Sequence, residues 1–392
     1  MTKRTKLHTR PVVALLVETS NAFSRELLSG VRDWIRSHRS WAIHLSEQGR
    51  GNQPPGWLRH WQGDGIIARI ETKEIAAAVS RAQVPVVNVS ASGLAPQYPS
   101  VISDSLGIAR LAASHLIERG VKSFGYCGDA RFPWSHHHGA NFEKTLHEAG
   151  FQCRFYPSKL KDALDWAREQ EKLSKWLSSL PKPAGIMTCY DIRGQQLLDV
   201  CRAQGLHVPD EVAVIGQHND AVLCDLCDPP LSSVIPGARE AGHEAAALLD
   251  AMMHGKSIEP KVHFIAPIGV ATRQSTDVVA VDDPRLKRAA RHIRDHVFDK
   301  FSVEELVKIS GMSRTLLERQ FKQCFGVSPY EQILSLKLST AERLIVETKL
   351  SLAEISDKLG FSSPEHFNAT FNKRKGHPPG QLRKHFKTAK SK

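Results

Sequence analysis

The chain has 392 residues, 41% of them hydrophobic, and a formal net charge of +12. This length is too great for one hydrophobic core and predicts two or three domains. No apolar run approaches the ~18 residues of a membrane span, and the basic start has no apolar stretch typical of a signal peptide, so we expect a cytoplasmic protein.

The cysteines predict reduced thiols. There are seven, an odd number, at Cys127, Cys153, Cys189, Cys201, Cys224, Cys227 and Cys324. Their scatter is typical of a cytosolic protein without a disulfide framework. Cys224 and Cys227 form a C-x-x-C pair with no second pair, which disfavours a zinc or redox site.

Strands and helices alternate through the first ~270 residues. The unbroken apolar run 11–17 is typical of a strand buried on both faces. Further strands are predicted at 41–45, 63–70, 84–89, 123–127, 151–156, 185–189 and 212–216, and helices at 23–38, 73–82, 105–119, 139–149, 164–180 and 192–203. This alternation predicts parallel sheets with helices on both faces, and the length suits two α/β lobes.

Polar loops follow the carboxyl ends of these strands, where open parallel sheets bind ligands. The loops at 18–23, 89–92, 128–134, 190–193 and 217–220 combine hydrogen-bonding side chains with aromatic rings. That mixture suits a sugar, and it also suits other small polar ligands. His136–His138 falls beside the third loop. Because consecutive histidines rarely ligate one ion, we expect a loop lining the cleft there and no metal site.

Residues 275–284 lose the strong periodicity and end in a proline, which predicts a linker between domains 1–274 and 285–392. Pro284 suits the first position of a helix. The apolar residues Leu286, Ala289, Ile293 and Val297 then mark one face of that helix.

One pattern occurs twice in the last hundred residues, at about 303–324 and 352–375. In each copy a short amphipathic helix ends at Gly311 or Gly360, and one apolar residue and a serine follow. Glycine enters the left-handed region readily, and serine caps a new helix by accepting a backbone N–H. The sequence therefore predicts two helix-turn-helix units, joined by a long helix over about 329–348.

Positive charge is concentrated in the same region. Residues 284–392 contain 22 Lys and Arg against 11 Asp and Glu, a balance of +11, which leaves +1 for the rest of the chain. Such asymmetry is the electrostatic pattern of a domain that binds double-stranded DNA, joined to a nearly neutral partner. A plain helical bundle would explain neither the duplicated turns nor the charge.

Two family resemblances follow from these segments. Residues 103–122, 212–216, 228–236 and 241–249 resemble the sensor of LacI-type regulators, although no helix-turn-helix headpiece fits in the ten residues before the first strand. Residues 326–330, 341–344, 359–371 and 376–383 closely resemble the AraC/XylS DNA-binding domain. The resemblances imply a two-lobed, periplasmic-binding-protein-like α/β sensor followed by an all-α domain with two helix-turn-helix units.

The AraC/XylS resemblance implies the DNA-reading residues. Leu317, Phe321, Phe367 and Phe371 are expected in the core. The residues expected to face the grooves or contact phosphates are Arg314, Thr315, Glu318, Arg319, Glu365, His366, Asn368, Arg374 and Lys375, with Lys373, Arg383 and Lys384 as further phosphate contacts. Two reading helices should enter successive major grooves ~34 Å apart. Ala369 stands where relatives often carry Arg, which predicts weaker base reading by the second unit.

The LacI resemblance implies the effector residues. They are Asn21, Phe23, Arg25, Trp134, His138, Asp191, Arg193, His218, Asn219 and Asp220. The order of sensor and DNA domain is similar to that of xylose-operon activators, which implies a small sugar effector, D-xylose, and no cofactor. A homodimer and contact with RNA polymerase are also expected. The alternatives are another pentose, a hexose or a non-sugar ligand, an enzyme-like lobe pair, or lobes that bind a protein.

Overall fold

The computed structural model describes residues 10–49, 53–159, 165–277, 283–299, 301–348 and 350–390. The chain divides into two compact units, Met1–Val278 and Val279–Lys392. Much of the predicted linker, residues 278–282, lies outside the described residues, as does the predicted helix start at residue 164. Residues Gln274–Thr276 form a 3-10 turn in which Ser275 and Thr276 are fully buried in the first unit.

The first lobe of the sensor unit is a six-stranded sheet with every pairing parallel. Its strands are β1 Val12–Leu16, β2 Ala42–Leu45, β3 Gly65–Ala68, β4 Val86–Asn88, β5 Ser100–Ser103 and β11 Val262–Ile265. They stand in the order β11-β5-β4-β3-β1-β2. Both faces of β1 are apolar, since Val13 and Leu15 pack in one core cluster and Ala14 and Leu16 in another. The lobe's helices are α1 Ala22–Ser37, α2 Lys73–Arg81 and α8 Ala238–Met253.

The second lobe holds the other six-stranded sheet, in the order β12-β10-β9-β8-β6-β7. Its strands are β6 Ser123–Cys127, β7 Cys153–Phe155, β8 Ala184–Thr188, β9 Val212–Gln217, β10 Ser232–Ile235 and β12 Gly269–Ala271. Only β12 is antiparallel to its neighbour. The lobe's helices are α3 Ser105–Ile117, α4 Pro133–Glu148, α5 Trp166–Ser179, α6 Asp191–Ala203 and α7 Ala221–Leu226.

The chain crosses between the two lobes three times: from β5 to α3, from β10 to α8, and from β11 to β12. This arrangement confirms the predicted two-lobed α/β sensor. The prediction placed no strand at β5, β10, β11 or β12, because these short segments lack the continuous apolar runs of the central strands.

Helices α1 and α8 pack closely because each carries a glycine that lies against the backbone of the other helix. A Cβ on Gly30 would lie 1.8 Å from the carbonyl oxygen of Arg239, and one on Gly242 would lie 1.9 Å from that of Leu27. No side chain fits in either gap. Helix α1, whose start faces the other lobe, is therefore held firmly against α8.

The second unit is helical. Its helices are α9 Pro284–Asp295, α10 Val303–Ser310, α11 Arg314–Phe325, α12 Pro329–Glu347, α13 Leu352–Lys358, α14 Pro364–Lys375 and α15 Pro379–Lys390. The predicted turns are present: Gly311 has φ 70°, and Ser313 and Ser363 cap α11 and α14. One apolar cluster gathers α9 to α12 around Phe321, and another gathers α12 to α15 around Phe367 and Phe371. Within the described residues, no helix is long and apolar enough to cross a membrane.

Candidate functional site

Two adjoining cavities lie where the sensor lobes face each other. The larger, of about 320 Å³, is lined by Ser20, Asn21, Ala22, Phe23, Arg131, Phe132, Tyr190, Asp191, Ile192, His218, Asp220 and Leu223. The smaller, of about 40 Å³, is lined by Phe23, Arg69, Val89, Ser90, Ala91, Ile102, Ser103, Ile108, Trp134, His138, His218 and Pro236. Phe23 and His218 border both, so the two cavities form one cleft between the lobes.

Aromatic rings from both lobes form the centre of this cleft. Phe23 lies in the first turn of α1 in the first lobe, and its ring centroid lies 4.9 Å from that of His218, which follows β9 in the second lobe. Trp134 lies 6.4 Å from His218 and stacks on Phe132 at 5.3 Å. Flat rings of this kind suit the C–H faces of a sugar, while the polar groups around them suit its hydroxyls.

A buried ion network supports the cleft from the first lobe. Arg69 lies between two carboxylates, with Nη1 3.2 Å from Glu18 and Nη2 2.9 Å from Glu71. Ser24 donates a hydrogen bond of 2.9 Å to Glu18, and the Arg69 guanidinium lies 5.2 Å from the ring centroid of Phe23. Although burial opposes it, the two carboxylates raise the pKa of Arg69. The guanidinium is therefore protonated, and its positive charge is balanced by Glu18 and Glu71.

The second lobe pairs its cleft arginine in the same way. Arg131 donates to both carboxylate oxygens of Asp129, the shortest bond being 2.6 Å. Despite its burial, the hydrogen bonds from Arg131 lower the pKa of Asp129. Tyr190 joins the pair, since its hydroxyl donates to Asp129 and accepts from Arg131.

Asp191 lines the larger cavity, but both of its carboxylate oxygens already accept hydrogen bonds. Oδ1 accepts from the Ser233 hydroxyl at 2.6 Å, and Oδ2 accepts from the backbone N–H of Asp220 at 2.8 Å. Burial raises its pKa to about 7. The carboxyl is therefore poised to change charge near neutral pH.

The region around His138 corrects one expectation. Residues 136–138 were predicted in a loop, but Pro133 begins helix α4, so the three histidines lie in its first turns. Successive helical side chains point ~100° apart, and here His136 and His137 are exposed whereas His138 is buried against the small cavity. Burial lowers the pKa of His138 to about 4, so this ring is neutral at physiological pH.

Three predicted effector residues do not line the cavities. Arg25 is exposed and reaches across the lobes to within 3.9 Å of Asp220. Asn219 accepts a hydrogen bond of 3.0 Å from Arg273. Arg193 is buried in the second lobe, where it forms an ion pair with Glu169. Asn21 lines the larger cavity, and its side chain also caps α1.

Several cleft residues were missed from the sequence. Arg69 lies just beyond the end of β3 and outside the five polar loops. Arg131, Phe132 and Tyr190 lie inside two of those loops, at 128–134 and 190–193, but were not predicted as effector contacts. A search for cationic or aromatic residues at strand ends would have found them. In the part of the chain that the structure describes, no group of three or more His, Cys, Asp or Glu side chains is placed to hold a metal ion.

In the second unit, α11 presents the predicted reading face. Leu317 and Phe321 are fully buried, as predicted, while Arg314, Thr315, Glu318 and Arg319 are exposed. The Arg314 guanidinium pairs with Glu304 at 2.6 Å and Glu318 at 3.0 Å. Arg314 would have to exchange these partners to contact a base.

Helix α14 is the corresponding reading helix of the second helix-turn-helix unit. Phe367 and Phe371 are fully buried, and Glu365 and His366 are exposed, while Asn368 is half-buried. Of the predicted phosphate contacts, Lys375 pairs with Glu342 at 2.7 Å and Arg374 lies 3.9 Å from Glu331. These carboxylates belong to α12, so part of the basic charge holds α14 against the long helix.

The three segments of this architecture match known families. Residues 12–104 match the XylR N-terminal domain, residues 113–276 a periplasmic binding protein-like domain, and residues 306–385 a helix-turn-helix domain. Similar solved structures include one described as xylose-binding transcription activator xylR, with a TM-score of 0.80 and 28% identity over 97% of this chain and 99% of that chain. The CelR–cellobiose complex, with a TM-score of 0.55 and 21% identity over 69% of this chain and 85% of that one, shares the fold.

Two curated relatives span nearly the whole chain. The xylose operon regulatory protein of Escherichia coli (strain K12) is 30% identical over 379 residues, which are 95% of this chain and 96% of that protein. Its counterpart in Haemophilus influenzae is 28% identical over 95% of this chain and 97% of its own length. These matches confirm a transcription regulator with a LacI-like sensor and an AraC-type DNA-binding domain. The chain belongs to the family of xylose operon regulatory proteins.

Proposed function

We propose that D-xylose, bound between the two sensor lobes, controls the DNA binding of this regulator. The observation that carries the proposal is the contact of Phe23 and His218, one from each lobe, at the border of a cavity of about 320 Å³. A pentose ring can lie against these aromatic faces while Asn21, Ser90 and Ser103 offer polar groups around it. The relatives named above, a xylose operon regulatory protein and a xylose-binding transcription activator, support the same sugar.

The charges around the cleft favour a neutral sugar over a phosphorylated one. Arg69, Arg131 and Arg25 each lie beside at least one carboxylate, respectively Glu18 with Glu71, Asp129, and Asp220. A sugar phosphate would need cations free to form charge-assisted hydrogen bonds. It would also meet these carboxylates, so it should bind poorly.

The coupling to DNA follows from the position of the site. Because both lobes contribute contacts, the sugar has a higher affinity for the arrangement in which they are closed, and binding shifts the population towards it. We propose that the regulator acts as a homodimer, so that closure changes how its DNA-binding units engage two half-sites. RNA polymerase is the partner expected of an activator.

Calorimetric titration of the full chain tests the effector. D-xylose should bind once per chain, and L-arabinose, D-ribose, D-glucose and D-xylose 5-phosphate should bind at least tenfold more weakly. At 100 times its Kd, D-xylose should stabilise the native state by about 2.7 kcal/mol. Binding of none of the neutral sugars would refute the proposal, tighter binding of another sugar would reassign the effector, and recovery of a chemically altered sugar would make the lobes an enzyme.

A further inference from the structure

The loop between β9 and α7 carries an unusual backbone. His218 and Asn219 are consecutive non-glycine residues with φ of 103° and 49°. Residues with side chains rarely adopt positive φ, and two in succession persist only where the surroundings hold them. This loop presents His218 to the cleft, so its conformation decides where the ring meets the effector.

Each N–H of the loop is held by a partner. The N–H of His218 donates to the Val234 carbonyl at 3.1 Å, and that of Asn219 donates to the Ser233 hydroxyl oxygen at 3.0 Å. The N–H of Asp220 donates to Asp191, and the Ser233 hydroxyl in turn donates to the same carboxylate. Two of the three anchors therefore depend, directly or through Ser233, on Asp191.

The carboxyl of Asp191 packs closely against β9. A Cβ on Gly216 would lie only 2.4 Å from Asp191 Oδ1, so the carboxyl fills its site against the strand backbone. Asp191 begins α6, and its first oxygen binds β10 while its second binds the loop. Both oxygens are engaged and the residue is only 2% exposed, so the carboxylate holds three elements together and offers little surface to a sugar hydroxyl.

We infer that Asp191 is a positioning residue, whose carboxylate fixes the 218–220 loop and thereby the ring of His218, and that it acts without contacting the effector. The inference rests on the proposed function, because it assigns how the sugar site is kept in shape. It also gives the regulator a dependence on pH. An ionised carboxylate accepts from both donors, whereas a protonated carboxyl has one oxygen occupied by its own proton.

The groups that surround Asp191 limit what else could titrate with it. Asp220 and Cys224 interact directly with it, Cys227 lies within reach of its charge, and His218 lines the same cavity. Arg273 acts on the two cysteines and pairs with Asp225 at 2.6 Å. Burial raises the pKa of both thiols, so they stay protonated at neutral pH. His218 and Asp220 are the other ionisable side chains among these that border the cleft, and the experiment must separate their effects from that of Asp191.

The sign of the expected effect is specific. Burial raises the pKa of Asp191 to about 7, from an ordinary value of 3.8, so the folded state takes up this proton before the unfolded state does. Protonation therefore stabilises the fold as pH falls from 7 towards 4. The loop contacts weaken over the upper part of that range, so sugar affinity should fall while this contribution to stability rises. If Asp191 only stabilised the fold, sugar affinity and fold stability would change in the same direction.

The test measures amide hydrogen exchange and D-xylose affinity on the full chain, comparing wild type with Asp191→Asn. The substitution keeps the shape but can turn an NH2 group towards a donor. Wild type should lose about tenfold in D-xylose affinity between pH 8 and pH 6, since the fraction of chains in which Asp191 is ionised and holds the loop falls by that factor. Asp191→Asn should show fast exchange at Asp220, weaker binding already at pH 8, and no pH dependence between these values.

Two further variants complete the design. Asp199→Asn, the same change on the outer part of α6, should behave as wild type, whereas Ser233→Ala should speed exchange at Asn219 even if Asp191→Asn does not fold. A pH profile retained in Asp191→Asn would assign the pH dependence to a group other than Asp191 and overturn the inference. So would unchanged exchange in Ser233→Ala. If no sugar binds, the proposed function fails, while the exchange rates of the loop amides still decide the role of Asp191.

Discussion

The rings of Phe23 and His218 lie 4.9 Å apart although they belong to different lobes, and they are tilted by 38°. Phe23 enters the cleft from the start of α1, which the closely packed α8 holds in place. His218 enters from a loop that Asp191 and Ser233 hold. The two rings thus meet at the border of the cleft, each held by contacts within its own lobe, an arrangement suited to sensing a ligand that brings the lobes together.

Replacing Phe23 by Leu should separate the contribution of the flat ring from that of apolar volume. Loss of an aromatic contact removes about 0.5–1.5 kcal/mol beyond buried area, so D-xylose should bind about three- to tenfold more weakly in calorimetry. Phe155→Leu, at a partly exposed position on β7, is the matched control and should bind normally. Unchanged affinity in Phe23→Leu would place the sugar elsewhere.

The contact between α1 and α8 predicts a strong effect of adding one methyl group. Gly30→Ala or Gly242→Ala would force a Cβ to within 2 Å of a carbonyl oxygen, as the spacings of 1.8 and 1.9 Å show. Overpacking of this kind typically costs about 1–3 kcal/mol and here requires the helices to separate. Urea unfolding should record the loss. Gly56→Ala is the control: a Cβ added there would meet no atom within 4 Å apart from its chain neighbours, so stability should change by less than about 0.5 kcal/mol.

His115 should make the sensor sensitive to acid. Burial lowers its pKa to about 4, and its Nε2 lies 2.7 Å from the Thr276 hydroxyl. Between pH 6.5 and 4 the unfolded chain therefore binds more protons than the folded one, and stability falls as the pH falls. The contribution of this one side chain is on the order of 3 kcal/mol.

Chemical denaturation between pH 7 and 4 measures this effect. His115→Gln, which cannot be protonated, should lose less stability across the range than wild type does. His147→Gln, at an exposed position on α4, should follow wild type. An identical slope in His115→Gln and wild type would show that other groups carry the acid response.

Arg319 is predicted to read a base. It is exposed on α11, whereas Arg314 on the same face is engaged by Glu304 and Glu318. A bidentate contact with guanine is worth about 1–3 kcal/mol of discrimination, so Arg319→Ala should weaken specific binding at least fivefold more than non-specific binding. Lys373→Ala, a phosphate-contact candidate, should weaken both equally and lower the salt dependence. Equal losses for Arg319→Ala would make it a phosphate contact too.

Local patterns predicted the DNA-binding unit well. The roles of Gly311, Ser313 and the buried Phe321 can be recognised from nearby residues, because a helix end, a cap and an apolar face each depend on a few adjacent positions. The same holds for the apolar strand at residues 11–17. Pro133 was an equally local signal for a helix start and was overlooked, so the prediction began the helix six residues late.

The cleft was less predictable because its contacts join distant parts of the chain. Asp191 was singled out as an effector contact, yet its partners Asp220 and Ser233 lie 29 and 42 residues away. The pairing of Arg69 with Glu18 likewise spans 51 residues. Such pairs depend on strand order and on how the two lobes meet, which no short pattern encodes.

The most direct test of sugar control compares DNA affinity with and without D-xylose. A specific site would first be selected from random DNA with the full chain, and its Kd measured by fluorescence anisotropy at fixed salt. We expect saturating D-xylose to change that Kd at least fivefold, and Phe23→Leu to require about three- to tenfold more sugar for the same change. A Kd that is identical with and without D-xylose and each other pentose would contradict the account.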